Sequence, residues 1–244
     1  MIDRRQFLIS ALAAGIYTGT APTTAMAQFW GKRPNRIQAK QSFHQIIGNV
    51  MVNATTASMN TAVKPGDKLR TGPKSQAIFV VGQDAFSLGE NSELTLDGEI
   101  LEDENPVIRA FSLLSGRLLT VFGRTGHKVS TPQATIGIRG TGVYLEALAD
   151  KSYICTCYGK VDIHANADTQ QKTTVTSNHH DQPLWVYGDN SKTYQKQSGK
   201  GLIQAAPMQN HTDMELVMLE ALVGRRVPFL IDDDYYGAPK RDQY

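Results

Sequence analysis

From Lys64 to Ile163 the chain is written in short apolar runs, each broken by Gly, Pro, Asp or Asn. It reads PGDKLRTGPKSQAIFVVGQDAFSLGENSELTL, then LLSGRLLTVFG, VSTPQATIGIRGTGVYLE and YICTCYGKVDI. Breakers at this density leave no room for a helix of ordinary length, whereas strands need only a few residues between turns. Alternation supports the same reading. Phe86 with Leu88, Leu94 with Leu96, and Ile136 with Ile138 each place apolar side chains two apart, the period of a half-buried strand. The expected fold class is all-β: many short strands, in a β-solenoid-like or sandwich-like stack.

Individual elements follow. A strand is predicted around Gln45–Val52. Gln76–Val81 (QAIFVV) is apolar on both faces and should be covered on both. Residues 97–106 (DGEILEDENP) read as an acidic loop, and Phe111–Phe122 as two strand runs parted at Ser115-Gly116-Arg117. Gly140 and Gly142 supply either positive φ or room for a close neighbour. Residues 164–178 are polar, with one candidate exposed strand. Leu184–Tyr187 should be a strand, returned by Lys192–Lys196, with a linker at 197–203. Beyond it, Thr212-Asp213-Met214-Glu215 has the form of a capping box. Met214, Val217, Met218 and Leu222 recur at helical spacing, Leu216 and Leu219 widen the stripe, and Gly224 then Pro228 end the helix. Asp232–Tyr244 is an acidic, tyrosine-bearing tail.

The N-terminus reads as a targeting segment. Arg4-Arg5 precede Phe7-Leu8, a mildly apolar stretch follows, and Ala25-Met26-Ala27 offers an A-x-A cleavage site. This resembles a twin-arginine export signal, which implies export in the folded state and a periplasmic workplace in a Gram-negative bacterium. The expected organisation is a signal peptide (1–27), a polar tether (28–40), a β domain (41–163), a hairpin extension (164–203) and a C-terminal helix with tail (204–244). No later run of apolar residues is long enough for a membrane-spanning helix. A formal charge of +2, without clustered basic residues, excludes a nucleic-acid footprint.

Three pieces between Gly48 and Ile163 resemble the FecR-like domain, the periplasmic module named after the regulator of ferric citrate uptake. PGDKLRTG with AIFVV is similar to its opening strand pair. STPQATIGIRGT is similar to its Thr-Pro to Gly-x-Arg-Gly-Thr motif, and YGKVDI to its closing Gly-x-Val strand. The resemblance implies a compact β domain that acts by contact and not by catalysis. The family's best-known members add a cytoplasmic anti-sigma segment, a membrane-spanning helix and a small α/β module that touches an outer-membrane receptor. Here a cleavable signal stands in place of the first two, and the C-terminal region does not read as the third, so a stand-alone exported module is expected.

Candidate chemistry is confined to a few residues. Cys155 and Cys157, the only cysteines, form C-x-C on a predicted strand, so both thiols face one side. Their Cα atoms would lie about 6.6 Å apart, where a mutual disulfide is strained. His179 and His180 are adjacent in a polar turn, and His211 stands just before the helix cap with Asp213 inside it. Thiolates and imidazoles together suit zinc, copper or iron, although the spacing matches no standard zinc finger. The alternative is structural: cysteines that fill the core and histidines on surface loops. Asp97, Glu99, Glu102, Asp103 and Glu104 cluster without the order of an EF-hand and read as a solvated loop. Arg139 is a candidate for burial against a carboxylate. No Gly-x-Ser-x-Gly elbow is present, so a hydrolase is remote. Two functions remain in play: a non-enzymatic module binding an envelope protein or polysaccharide, and a metal-binding sensor, carrier or redox protein.

Overall fold

The computed structural model describes residues 34–37, 41–102, 105–123, 125–189, 191, 194 and 200–229. The expected signal peptide, most of the tether and the acidic tail lie outside them. Among the described residues, fourteen strands form one continuous sheet, followed by one helix. The strands are β1 (Phe43–Ile47), β2 (Val50–Val52), β3 (Thr55–Thr56), β4 (Lys68–Thr71), β5 (Gln76–Val81), β6 (Asp84–Leu88), β7 (Glu93–Ile100), β8 (Pro106–Val121), β9 (Thr125–Ser130), β10 (Ala134–Ala147), β11 (Lys151–Ala165), β12 (Lys172–Ser177), β13 (Leu184–Tyr187) and β14 (Ile203–Ala205), and the helix is α1 (Asp213–Leu222). The all-β expectation holds. Neighbouring strands are antiparallel except β8 and β9, which run parallel through Ala110–Ser112 and Lys128–Ser130.

The inner face carries one contiguous apolar cluster, running from Val50 and Leu69 through Phe79, Phe86, Leu113 and Ile136 to Leu145, Ile154, Val161 and Val186. A phenylalanine ladder crosses it: Phe43, Phe79, Phe86, Phe111 and Phe122 sit with successive ring centroids 5.0–6.0 Å apart. These rings bury large apolar areas, the dominant favourable contribution to such a core. The opposite face of β6 and β8 lies under α1, whose Leu216–Leu222 are all buried. β5 is covered on both faces, as its apolar run requires, since Ala77–Val81 are all buried.

Several elements depart from the expectations. Gly48 (φ +69°) divides the first predicted strand into β1 and β2. Half of the acidic stretch is strand: β7 continues to Ile100, β8 starts at Pro106, and Glu99 pairs with Arg109 across the hairpin. Phe111–Phe122 is not two runs, because β8 continues unbroken through Gly116 (φ +84°). At Gly116 β8 changes partner, from β7 to β6 and β10. A Cβ there would come within 2.5 Å of Ser92 Cα, so glycine is required on two counts. The strand that returns against β13 is β14, which takes Ile203 out of the predicted linker. Of Lys192–Lys196, only residue 194 is described, and it is not in a strand. Arg139 does meet a carboxylate, Asp162, but it is exposed.

The long strand β11 positions the site. Along one edge it pairs with β10 throughout. Along the other it pairs with β13 at Lys151–Ile154 and with β12 at Gly159–His164. Between those two partners, Cys155–Tyr158 has no strand beside it, and the 178–183 connection fills the gap, with His180 N donating to Cys157 O at 2.9 Å.

Candidate metal centre

Cys155 and Cys157 project from β11 to the face opposite Ile154, as alternation dictates. Both are unbridged and fully buried. His180 enters from the β12–β13 connection, and His211 from the residue before the N-cap of α1. Each imidazole is aimed by unusual backbone. His180 itself has φ +54°, and Asn210, next to His211, has φ +58°. Left-handed conformations in residues other than glycine are uncommon and concentrate where the surroundings enforce a geometry. Asn210 is enforced by its side chain, which donates to Glu146 Oε1 at 2.7 Å.

The four donor atoms converge. Cys155 Sγ lies 3.3 Å from His180 Nδ1, Cys157 Sγ 3.5 Å from His211 Nε2, and the two ring nitrogens are 3.1 Å apart. All four lie within 4.8 Å of one another. Zinc bonds of about 2.3 Å to sulfur and about 2.0–2.1 Å to nitrogen give tetrahedral edges of about 3.6 Å for S–N and about 3.3 Å for N–N. The observed separations match those edges to within a few tenths of an ångström.

The outward nitrogens are also committed. His180 Nε2 lies 3.0 Å from Asp213 Oδ1, and His211 Nδ1 2.6 Å from Gln209 O. A carbonyl can only accept, so His211 Nδ1 carries the proton and its Nε2 presents a lone pair to the cluster. Asp213 fixes His180 in the corresponding way. This is the outer support that metal-bound imidazoles characteristically have. Tyr144 stacks on His211 with centroids 4.4 Å apart. Its hydroxyl donates to Glu146 Oε1 at 2.7 Å, and Glu146 also accepts from Gln209. Tyr153 Oη donates to Pro207 O and accepts from Gln209 N, tying down the same segment.

The electrostatics divide the thiols. The neighbouring Cys157 thiol, then His180 and His211, hold Cys155 far below the usual thiol range against the opposing effect of burial. Burial, then the Cys155 charge, pushes Cys157 well up. Burial alone would lower His180, but the Cys155 thiolate and Asp213 outweigh it and raise the imidazole. A thiol pushed down beside an imidazole pushed up is the arrangement from which a soft or borderline cation displaces protons.

The sequence-predicted set is therefore brought together in four of its five members. His179 is not one of them. Its Nε2 lies 2.9 Å from both oxygens of Asp213, and its side chain is half exposed. Glu146, Tyr144, Asn210 and Gln209 carried no sequence signal, because their roles arise only when the segment before α1 crosses β10. Asp213 is read in the sequence as a helix-start residue, and it is that as well.

The glycine motif lies at the bulge in β10. Gly140 has φ +67°, and a Cβ on Gly142 would meet the Tyr158 ring at 2.5 Å. Residues 67–162, which include this motif, match the family model described as FecR protein. They form a FecR domain. The two cysteines lie inside the matched segment, and His180 and His211 lie beyond it. Two crystal structures of a candidate anti-sigma factor from Parabacteroides distasonis align with 57% of this chain at 13% identity, with a TM-score of 0.42. The alignment spans 58% of that protein's chain. No curated protein matches the sequence. Among the described residues, no helix is long and apolar enough to cross a membrane.

Proposed function

We propose that this chain is an exported FecR-domain regulator that holds a zinc-class ion at Cys155, Cys157, His180 and His211. The observation that carries this reading is the convergence of four donors within 4.8 Å of one another, with both imidazoles fixed from behind. All four ligand residues are buried. A closed four-donor set leaves no position for a substrate, which is the pattern of a structural or sensing site and not of catalytic zinc. Copper and iron are competitors for the same donors, and geometry favours the ion that accepts a tetrahedron without preference of its own.

Metal analysis of the protein exported from its native host tests the reading. About one ion per chain is expected in the wild type, and essentially none in the Cys155→Ser/Cys157→Ser double variant. Equal, negligible metal in both would remove the site.

The FecR domain supports a role in signalling through protein contact, with an envelope protein as partner, and the twin-arginine pair supports delivery to the periplasm. Replacing Arg4 and Arg5 together by Lys should leave the precursor in the cytoplasm. Unchanged periplasmic yield would count against that route. In crosslinking of intact cells, the protein should join an envelope protein, and a protein recovered only as monomer would count against a contact function.

A further inference from the structure

His180 belongs to two groups of donors. Its Nδ1 faces the thiols and His211, and its Nε2 lies 3.0 Å from Asp213 Oδ1. The same carboxylate receives His179 Nε2 at 2.9 Å on each oxygen. One ligand atom from each of His179, Asp213 and His180 can be chosen so that all lie within 4.8 Å of one another. This outer set leads from solvent to the buried centre: the side chains are 50% exposed at His179, 26% at Asp213 and 4% at His180. The Phe229 ring lies beside it, 4.3 Å from the His179 ring and 6.3 Å from that of His180.

An exposed imidazole on a carboxylate contributes little stability by itself. Its placement answers a different need. The inner donors are buried, and an ion reaching them must first shed most of its water. Two imidazoles and a carboxylate are suited to hold a borderline divalent cation that keeps waters in its remaining positions. We propose that His179, Asp213 and His180 form an outer cation site that loads the buried centre. The proposal rests on the reading of Cys155, Cys157, His180 and His211 as a zinc-class site. A hydrated ion binds His179, the Asp213 carboxylate and the Nε2 side of His180. It then moves to the Nδ1 side of His180, exchanging oxygen donors and waters for sulfur. As the ion binds, the Nε2 proton of His179 is exchanged through solvent for one on its Nδ1, and that of His180 passes to solvent past the partly exposed Asp213. When the ion moves to Nδ1, the displaced waters return to solvent, His180 Nε2 takes a proton back from solvent, and each thiol still protonated releases its proton to solvent as it binds. No oxidation is involved. Asp213, freed of the ion, returns to orienting His180.

Cobalt(II) separates the two sites, because only the inner one gives thiolate-to-cobalt charge-transfer absorption. Metal-free protein is mixed rapidly with Co2+, and both the rate and the final amplitude of that absorption are followed. The comparison is His179→Gln, whose amide reaches the same position and donates to Asp213 but is a poor ligand. Loading in His179→Gln should slow about tenfold or more, with the final inner-site absorption still attained. A second, weaker Co2+ equivalent, held by His179 and the Asp213 carboxylate while His180 serves the inner ion, should titrate into the wild type and be missing from the variant. Loading at the wild-type rate, or no Co2+ equivalent lost in the variant, overturns the proposal. Wild-type protein that never develops the charge-transfer band instead sinks the inner-site reading. The outer set is then judged on the lost equivalent alone.

Discussion

Asp213 is the residue on which the two donor groups turn. It lies in the first turn of α1, where a negative charge is favoured, and its Oδ1 fixes the His180 ring. Asp213→Asn keeps the shape and removes the charge, so zinc affinity should fall about 10–100-fold, measured by competition with a chromogenic chelator. The histidine pair shows what residue-level reading can and cannot deliver. Adjacent imidazoles in a polar turn announce a candidate ligand but not which of the two it is. That depends on His180 adopting φ +54°, a conformation imposed by the strand gap beside Cys157. Away from the centre, Asp162 shows ordinary surface electrostatics. The Thr174 hydroxyl chiefly, and then Arg139, hold its carboxyl below the usual 3.8 against slight desolvation. A depressed carboxyl contributes stability above its unfolded value, and that contribution is lost as pH falls through the folded value. Thr174→Ala should move the Asp162 titration upward in NMR, and no movement would mean that the hydroxyl contact is not formed.

At the scale of elements, the helix and its cap were legible and the long strands were not. Thr212-x-x-Glu215 is a local pattern, and the capping box forms as read: Thr212 N donates to Glu215 Oε2 and Glu215 N to Thr212 Oγ1. Thr212→Ala should cost about 1 kcal/mol, a drop in Tm of roughly 2–4 °C for a chain of this size. Its proximity to His211 predicts a faster ion off-rate as well. The sequence divides β8 at Gly116 because glycine usually marks a turn, and Gly159 lies inside β11 in the same way. Here positive φ at both positions (+84° and +91°) lets a strand bend and exchange neighbours without ending. No local pattern separates these two uses of glycine, because the difference lies in which distant strand arrives alongside. Gly142 carries a testable cost. Gly142→Ala forces the Tyr158 ring aside, and that ring's hydroxyl reaches Glu220 on α1. The expected loss is about 1–3 kcal/mol, seen as a lower denaturant midpoint, and it should couple non-additively with Tyr158→Phe.

For the molecule as a whole, the fold class was legible from breaker density and period-two alternation, and the FecR motifs marked the central strands. The site was legible only as residue types, because its ligands span three segments from Cys155 to His211 and only the folded sheet brings them together. The apolar cluster does not depend on those ligands, so metal removal should leave the sheet standing. With free zinc about a thousandfold above its dissociation constant, the gain is about 4 kcal/mol, or roughly 10 °C in Tm. Chelation should remove that increment while the far-ultraviolet β spectrum persists, and collapse of that spectrum would show that the core needs the ion. Chain order adds a consequence. Synthesis proceeds from the N-terminus and domains tend to form in that order, yet one imidazole is supplied only at His211, after all fourteen strands. For the proposed site, a ribosome-bound intermediate would therefore offer passing copper or iron a pair of thiols and no finished cage. Discrimination among ions is deferred until the last segment swings across β10, and which ion is kept is then decided by the composition of the compartment where that final docking occurs.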